Sequence, residues 1–164
     1  MQINNLFDLH TNINEKIKQA MDLTMDELLE KLKDYIQQDV YDNSTFGQTQ
    51  PQWYTRSYEL LNNWDYTKAE IIGNNSIESI LSFSKPITHS DYPLYQHGVD
   101  QVNNQEFADI VNSGKIGDLF GFPQLGARPY WDDFWKYAEL NIHRIFAEKC
   151  NLVGLPISPT LTYM

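Results

Sequence analysis

Gly126-Ala127-Arg128-Pro129-Tyr130-Trp131-Asp132 ends a glycine-rich stretch and opens the last strong amphipathic pattern of the chain. Pro129 fixes its own φ at about −65° and pushes Arg128 toward extended backbone, so a helix running in from the N-terminal side is disfavoured here. Asp132 and Asp133 then put negative charge where the unpaired N–H groups of a first helical turn point. The stretch reads as a hinge between a contact surface and a scaffold helix. Nothing in it is catalytic chemistry.

On its C-terminal side, Trp131, Phe134, Trp135, Ala138, Ile142, Ile145 and Phe146 recur at three- and four-residue steps. That spacing predicts a helix from about Trp131 to Lys149 with this stripe buried. His143, Arg144 and Lys149 stand where positive charge suits a helix C-terminus. Gly154 and Pro156 stop the pattern, and residues 155–164 are expected to be an extended tail, either disordered or strapped onto a partner. The single cysteine, Cys150, lies on this helix with no His or Cys spaced beside it. It points to packing rather than nucleophilic chemistry, and it rules out an internal disulfide.

On the N-terminal side, residues 97–128 form a long loop holding five of the eight glycines. Within it, Asn104 to Ser113 suits one short helix burying Phe107, Ile110 and Val111, with Gly114 just past its end. Lys115 to Leu125 carries Ile116, Leu119, Phe120 and Phe122 on a glycine-rich backbone. An apolar loop of that length either closes over its own sheet or docks on a neighbouring subunit.

The first part of the chain supplies the scaffold. Ile13, Ile17, Ala20, Met21, Thr24, Leu28, Leu32, Tyr35 and Ile36 recur at helical spacing, and Thr11 or Asn12 is the expected cap. Asp42 to Gln52 is a polar loop, and Arg56 to Trp64 a short helix with Tyr58, Leu61 and Trp64 inward. Tyr66 to Ile72 and Ser76 to Ser84 flank Gly73-Asn74-Asn75, a composition that tolerates positive φ and predicts a β-hairpin. Pro86 and Pro93 bracket a further extended segment suited to an edge strand. The expected fold is α+β: a small, mostly antiparallel sheet with a long N-terminal helix and a C-terminal amphipathic helix packed on it.

A chain of 164 residues is one domain's worth, residues 1–164, and buries roughly 70% of the surface of its unfolded form. Ten tyrosines and four tryptophans exceed what a small core requires, and such side chains favour interfaces. A formal charge of −10 with no basic run argues against a grip on duplex phosphates. Such acidity suits either plain solubility or a passage through which DNA slides without sticking. No signal-peptide pattern is visible at the N-terminus, and the apolar runs are too short to span a membrane.

The search for chemistry comes out almost empty. His10, His89, His97 and His143 form no metal-binding pair, and no nucleophile elbow, phosphate loop or dinucleotide fingerprint is present. Asp132 and Asp133 are adjacent, so on a helix they diverge by about 100° and are explained by their place at its start. The expectation is a protein that is not an enzyme, with no metal or cofactor.

Arg56, Ser57 and Leu60 before the hairpin, Tyr92, Tyr95 and Gly98 at the end of a strand, and Ala127, Arg128, Pro129 and Tyr130 opening the final helix follow a familiar order. The chain resembles the minor tail-component and neck family of tailed bacteriophages, the head–tail joining and tail-completion proteins. The resemblance runs from about Thr11 to Pro156, and Tyr58 stands where that family has glycine. It implies a structural virion subunit, assembled in the host cytoplasm into a ring, expected to be hexameric, that completes or terminates the tail. Its partners would be the connector or stopper and the tail tube, with DNA passing through the lumen unbound. Ile116, Leu119, Phe120, Phe122, Arg128 and Tyr130 are the expected interface residues. The alternatives are a head-side adaptor or stopper ring, an acidic DNA mimic or host-factor inhibitor, and a small hydrolase converging from Asp91, His97 and Asp132.

Overall fold

The computed structural model describes residues 6–42, 58–73, 76–83, 108, 109, 112, 113 and 128–157. The fold is α+β. Helix α1 (Leu6–Ile36) runs into a π-helical turn (Gln37–Tyr41); α2 (Glu59–Asn62), β1 (Trp64–Tyr66), β2 (Glu70–Ile72), β3 (Ser76–Glu78), β4 (Leu81–Phe83) and α3 (Tyr130–Leu152) follow. Contacts divide the chain into two compact units. One comprises Met1–Glu30, Tyr66–Leu81 and Lys136–Met164, the other Lys31–Asp65 and Ser82–Trp135.

The sequence shows why α1 forms. Ala20, Thr24, Leu28, Leu32, Ile36 and Val40 are all buried, a row at four-residue steps on one continuous helix and its π turn. Thr24, the polar member of the row, returns its hydroxyl to the Ala20 carbonyl at 2.8 Å, so its burial leaves no orphan donor. The helix begins at Leu6, earlier than a cap at Thr11 or Asn12 would place it. Asp8 occupies the first turn, and Asn14 hydrogen-bonds His10 one turn back, so the expected cap residues lie inside the helix.

In the first unit, α1 contributes Ala20, Thr24 and Leu28 to the core and α3 contributes Ala138, Ile145, Ala147 and Cys150, joined by Ala69. Lys149 pairs with Glu27 at 2.6 Å, and Lys16 donates to the Gly154 carbonyl at 3.0 Å. Burial pushes the Cys150 thiol above its ordinary pKa, which suits packing. Helix α3 ends as its glycine foretold. Leu155 N–H bonds the Cys150 carbonyl at 2.8 Å and Gly154 N–H the Asn151 carbonyl at 3.1 Å, a Schellman arrangement with Gly154 at φ +78°. The start of the tail is strapped to its own helix, because Asn151 both donates to the Ile157 carbonyl and accepts from its N–H, each at 3.1 Å.

The hairpin is present but interrupted. β2 and β3 pair antiparallel with Glu70 opposite Glu78, Ile71 opposite Ile77 and Ile72 opposite Ser76, and Gly73 turns at φ +63°. β1 pairs with β4 as a second two-stranded sheet. Side chains account for the break: Ile80 N–H is taken by the Thr67 hydroxyl at 2.9 Å, and Ala69 N–H by the Asp22 carboxylate at 2.8 Å. Asp26 accepts the Tyr66 hydroxyl at 2.5 Å, and Lys68 donates to the same oxygen at 2.7 Å.

The second unit buries Leu32, Ile36, Val40, Leu60, Asn63, Trp64, Ala108, Tyr130 and Phe134. Full burial of an aromatic such as Phe134 is worth about 1.5–3 kcal/mol. The short helix before β1 spans only Glu59–Asn62, with Leu60 inward, while Tyr58 is exposed and Trp64 lies in β1. The expected inward set of Tyr58, Leu61 and Trp64 is therefore corrected to Leu60 and Trp64. Tyr58 has φ +55°, a left-handed conformation that glycine adopts without strain. Its carbonyl accepts from Leu61 and Asn62 and so opens α2.

Candidate functional site

Arg128, Pro129 and Tyr130 form the joint that the sequence singled out, and they hydrogen-bond Val40, Asp133 and Ala108, which belong to the second unit. Arg128 Nη1 donates to the Val40 carbonyl at 3.3 Å. Val40 lies in the π turn that ends the N-terminal helix, where carbonyls run out of intrahelical donors. That turn is also closed by Asp42 N–H to the Gln37 carbonyl at 2.8 Å and by the Gln37 amide to the Asp42 carboxylate at 2.7 Å.

Pro129 is exposed and its carbonyl accepts the Asp133 N–H at 2.9 Å, the first bond of α3. Tyr130 is the reverse. It is almost fully buried, and its hydroxyl donates to the Ala108 carbonyl at 3.4 Å. Burial, reinforced by Asp109 and Tyr41, raises its pKa far above that of a free phenol, so the hydroxyl stays protonated.

Helix α3 is capped from a distance. Asn112 Oδ1 accepts the Trp131 N–H at 3.0 Å, and Asn112 Nδ2 donates to Asp132 at 3.1 Å. Asp132 thus orients a cap. Asp39, in the π turn, has a buried Oδ2 with no hydrogen-bond partner, and burial followed by the nearby Asp133 charge raises its pKa.

An aromatic cluster lies beside the joint. Trp131 stacks on Trp64 with centroids 5.2 Å apart and planes at 12°, and Phe83 meets Trp64 edge-on at 5.3 Å. Phe134 and Trp135 follow at 5.5 and 6.2 Å from Trp131. Trp64 Nε1 is buried without an acceptor. Trp135 and Ile142, both expected in the buried stripe, are instead 52% and 38% exposed; Tyr130, Phe134 and Ala138 take the inward row at the start of the helix, and Ile145 takes it further on.

Of the expected family-motif and interface positions, Leu60, Arg128, Pro129 and Tyr130 are described. Leu60 is buried in the short helix, and the other three form the joint. Arg56, Tyr92, Tyr95, Gly98, Ile116, Leu119, Phe120, Phe122 and Ala127 lie outside the described residues, as do Asp91 and His97 and the expected edge strand. Among the described residues, no group of three His, Cys, Asp or Glu is placed to hold a metal ion, and no helix is long and apolar enough to cross a membrane. Sequence reasoning missed Val40 and Asn112, whose partners are 88 and 19 residues away and leave no local signal.

Residues 5–143 match the YomN family. The chain belongs to that family. It is a phage-derived family, named after a gene of Bacillus phage SPBc2. No curated protein and no solved structure matches the chain.

Proposed function

We propose that this YomN-family chain is a structural virion protein of the head–tail neck, a tail-completion or terminator ring subunit that joins the tail tube to the head connector. The observation that carries this reading is the joint itself. In the neck family that the sequence resembles, an Ala-Arg-Pro-aromatic run opens the final helix, and here Arg128, Pro129 and Tyr130 open α3 and tie it to the end of α1. The phage-derived family supports the same reading at a coarser level. The work of such a subunit is docking rather than catalysis. A net charge of −10 suits a lumen that passes DNA without holding it.

The test is a phage lacking the gene. Heads filled with DNA and separate tails should accumulate, and the protein should be found in wild-type virions at ring stoichiometry. Density on the head side of the neck would favour an adaptor or stopper. Absence from virions, together with capture of a basic host protein, would favour the acidic inhibitor and overturn the neck reading. Deleting Lys115 to Leu125 from the complementing copy should block joining while the purified variant still melts cooperatively. A deletion variant that complements normally would remove that loop's docking role.

A further inference from the structure

We propose that the β2–β3 hairpin of one copy docks on the Leu140 face of α3 in a neighbouring copy, an inference that rests on the ring reading above and names its contact surface. Both patches belong to the same compact unit, and they differ in chemistry.

The hairpin is costly to leave bare. Glu70 and Glu78 face each other across the strands, and among the described residues neither has a hydrogen bond or ion pair. Like charges directly opposite destabilise a strand pair, and a two-stranded hairpin is marginal on its own. On the same face Ile72 is 44% exposed, while Ile71 on the opposite face and Ile80, two residues past β3, are 49% and 50% exposed. The carboxylate face therefore suits an occupant that sets a cation between Glu70 and Glu78 and apolar carbons beside Ile72.

This chain carries such an occupant. Leu140 is the most exposed large apolar side chain of the described residues, at 80%. Lys136 stands four residues before it, His143 three after and Arg144 four after, so all share one face of α3. Glu139 and Glu148 border that face. Arg144 pairs with Glu148 at 2.7 Å, but both side chains are about half exposed, so exchanging that carboxylate for one on a partner costs little. With only 12 Lys and Arg against 22 Asp and Glu, a basic rim around an exposed leucine is scarce on this chain. Two different patches in contact make a heterologous interface, which propagates from copy to copy and closes into a ring when the rotation allows.

The test uses the full chain in sedimentation experiments over a range of concentration and salt. The Glu70→Lys/Glu78→Lys variant and the Lys136→Glu/Arg144→Glu variant should each weaken self-association at least about tenfold, through like-charge juxtaposition. An equimolar mixture of the two should restore association, a gain that misfolding cannot produce. Leu140→Ser, at a position with almost no packing to lose, should weaken association in the same way. Charge-reversed variants that associate like wild type, or a mixture no better than its components, would overturn the contact while leaving the ring reading intact. A wild-type chain that stays monomeric at every concentration would also overturn it, and virion composition would then judge the ring reading separately.

Discussion

The Arg128 guanidinium donates to the Val40 carbonyl at 3.3 Å across 88 residues of sequence, so the residue that opens the last helix also closes the end of the first. A charged hydrogen bond of this kind is worth about 1.5–3 kcal/mol, and its length argues for the lower end. Arg128→Ala should therefore lower Tm by roughly 3–6 °C, at about 2–4 °C per kcal/mol for a chain of this size. Arg128→Lys should recover only part of this, because one ammonium does not reproduce the planar fork. Calorimetry of the three proteins decides it; an unchanged Tm in the alanine variant would show that water replaces the bond.

Asn112 makes two bonds at the start of α3, to the Trp131 N–H and to Asp132. Losing a cap of this type costs about 1 kcal/mol. Asn112→Ala should show that loss in urea titration, with the m-value unchanged. Asn112→Asp should cost more at neutral pH, since it keeps the acceptor but replaces the donor facing Asp132 with a second negative charge.

How much of this was legible follows from the range of each interaction. The two long helices were readable because their buried rows, Ala20 to Val40 and Tyr130 to Ala138, repeat every four residues. The hairpin turn was readable from Gly73, whose φ is +63°. Its interruption was not, because the Thr67 hydroxyl and the distant Asp22 carboxylate capture N–H groups that an uninterrupted ladder would use. The joint was legible from Pro129 and the acids after it, but its partners were not. Val40 and Asn112 act through a backbone carbonyl and a side-chain amide that have no periodicity to betray them. Trp135 misled because it stands four residues after Trp131, whereas the buried four-residue row starts one residue earlier, at Tyr130, and runs through Phe134 to Ala138.

Asp39 gives a pH dependence with a definite sign. Its pKa is raised by burial and then by Asp133, so the native state holds this proton more tightly than the unfolded chain does. Its contribution to stability is fully present below the ordinary carboxylate range and is lost as pH rises through that range to the folded pKa. Asp39→Asn should therefore raise Tm at pH 7, and the gain over wild type should shrink as the solution is acidified. A gain that stays constant with pH would assign the effect to packing instead.

Gly154 is held at φ +78° by the Schellman arrangement, and a Cβ there would meet Lys16 Nζ at 3.3 Å. An L-residue in this conformation costs about 1–2 kcal/mol, while the flexible lysine end can shift. Gly154→Ala should be destabilising by that amount. Lys16→Ala should cost less, because it removes only an exposed bond to the Gly154 carbonyl. If the double variant recovered most of the Gly154→Ala loss, steric contact rather than backbone strain would be responsible.

Trp64 and Trp131 stack at 5.2 Å with planes 12° apart, and this pair links β1 to the first turn of α3. Area burial alone would make replacement of either ring additive with the other. A specific aromatic contact adds about 0.5–1.5 kcal/mol beyond area. Trp64→Leu, Trp131→Leu and the double variant form a cycle whose coupling energy should fall in that range. Trp64→Phe is the discriminating control. It keeps a ring against Trp131 and Phe83 but removes the buried Nε1–H that has no acceptor, so it should cost less than Trp64→Leu despite the lost volume. Chemical denaturation of all four variants reads both quantities. A coupling energy near zero would mean that the indoles merely share a surface, and the joint would then rest on Arg128 and Asn112.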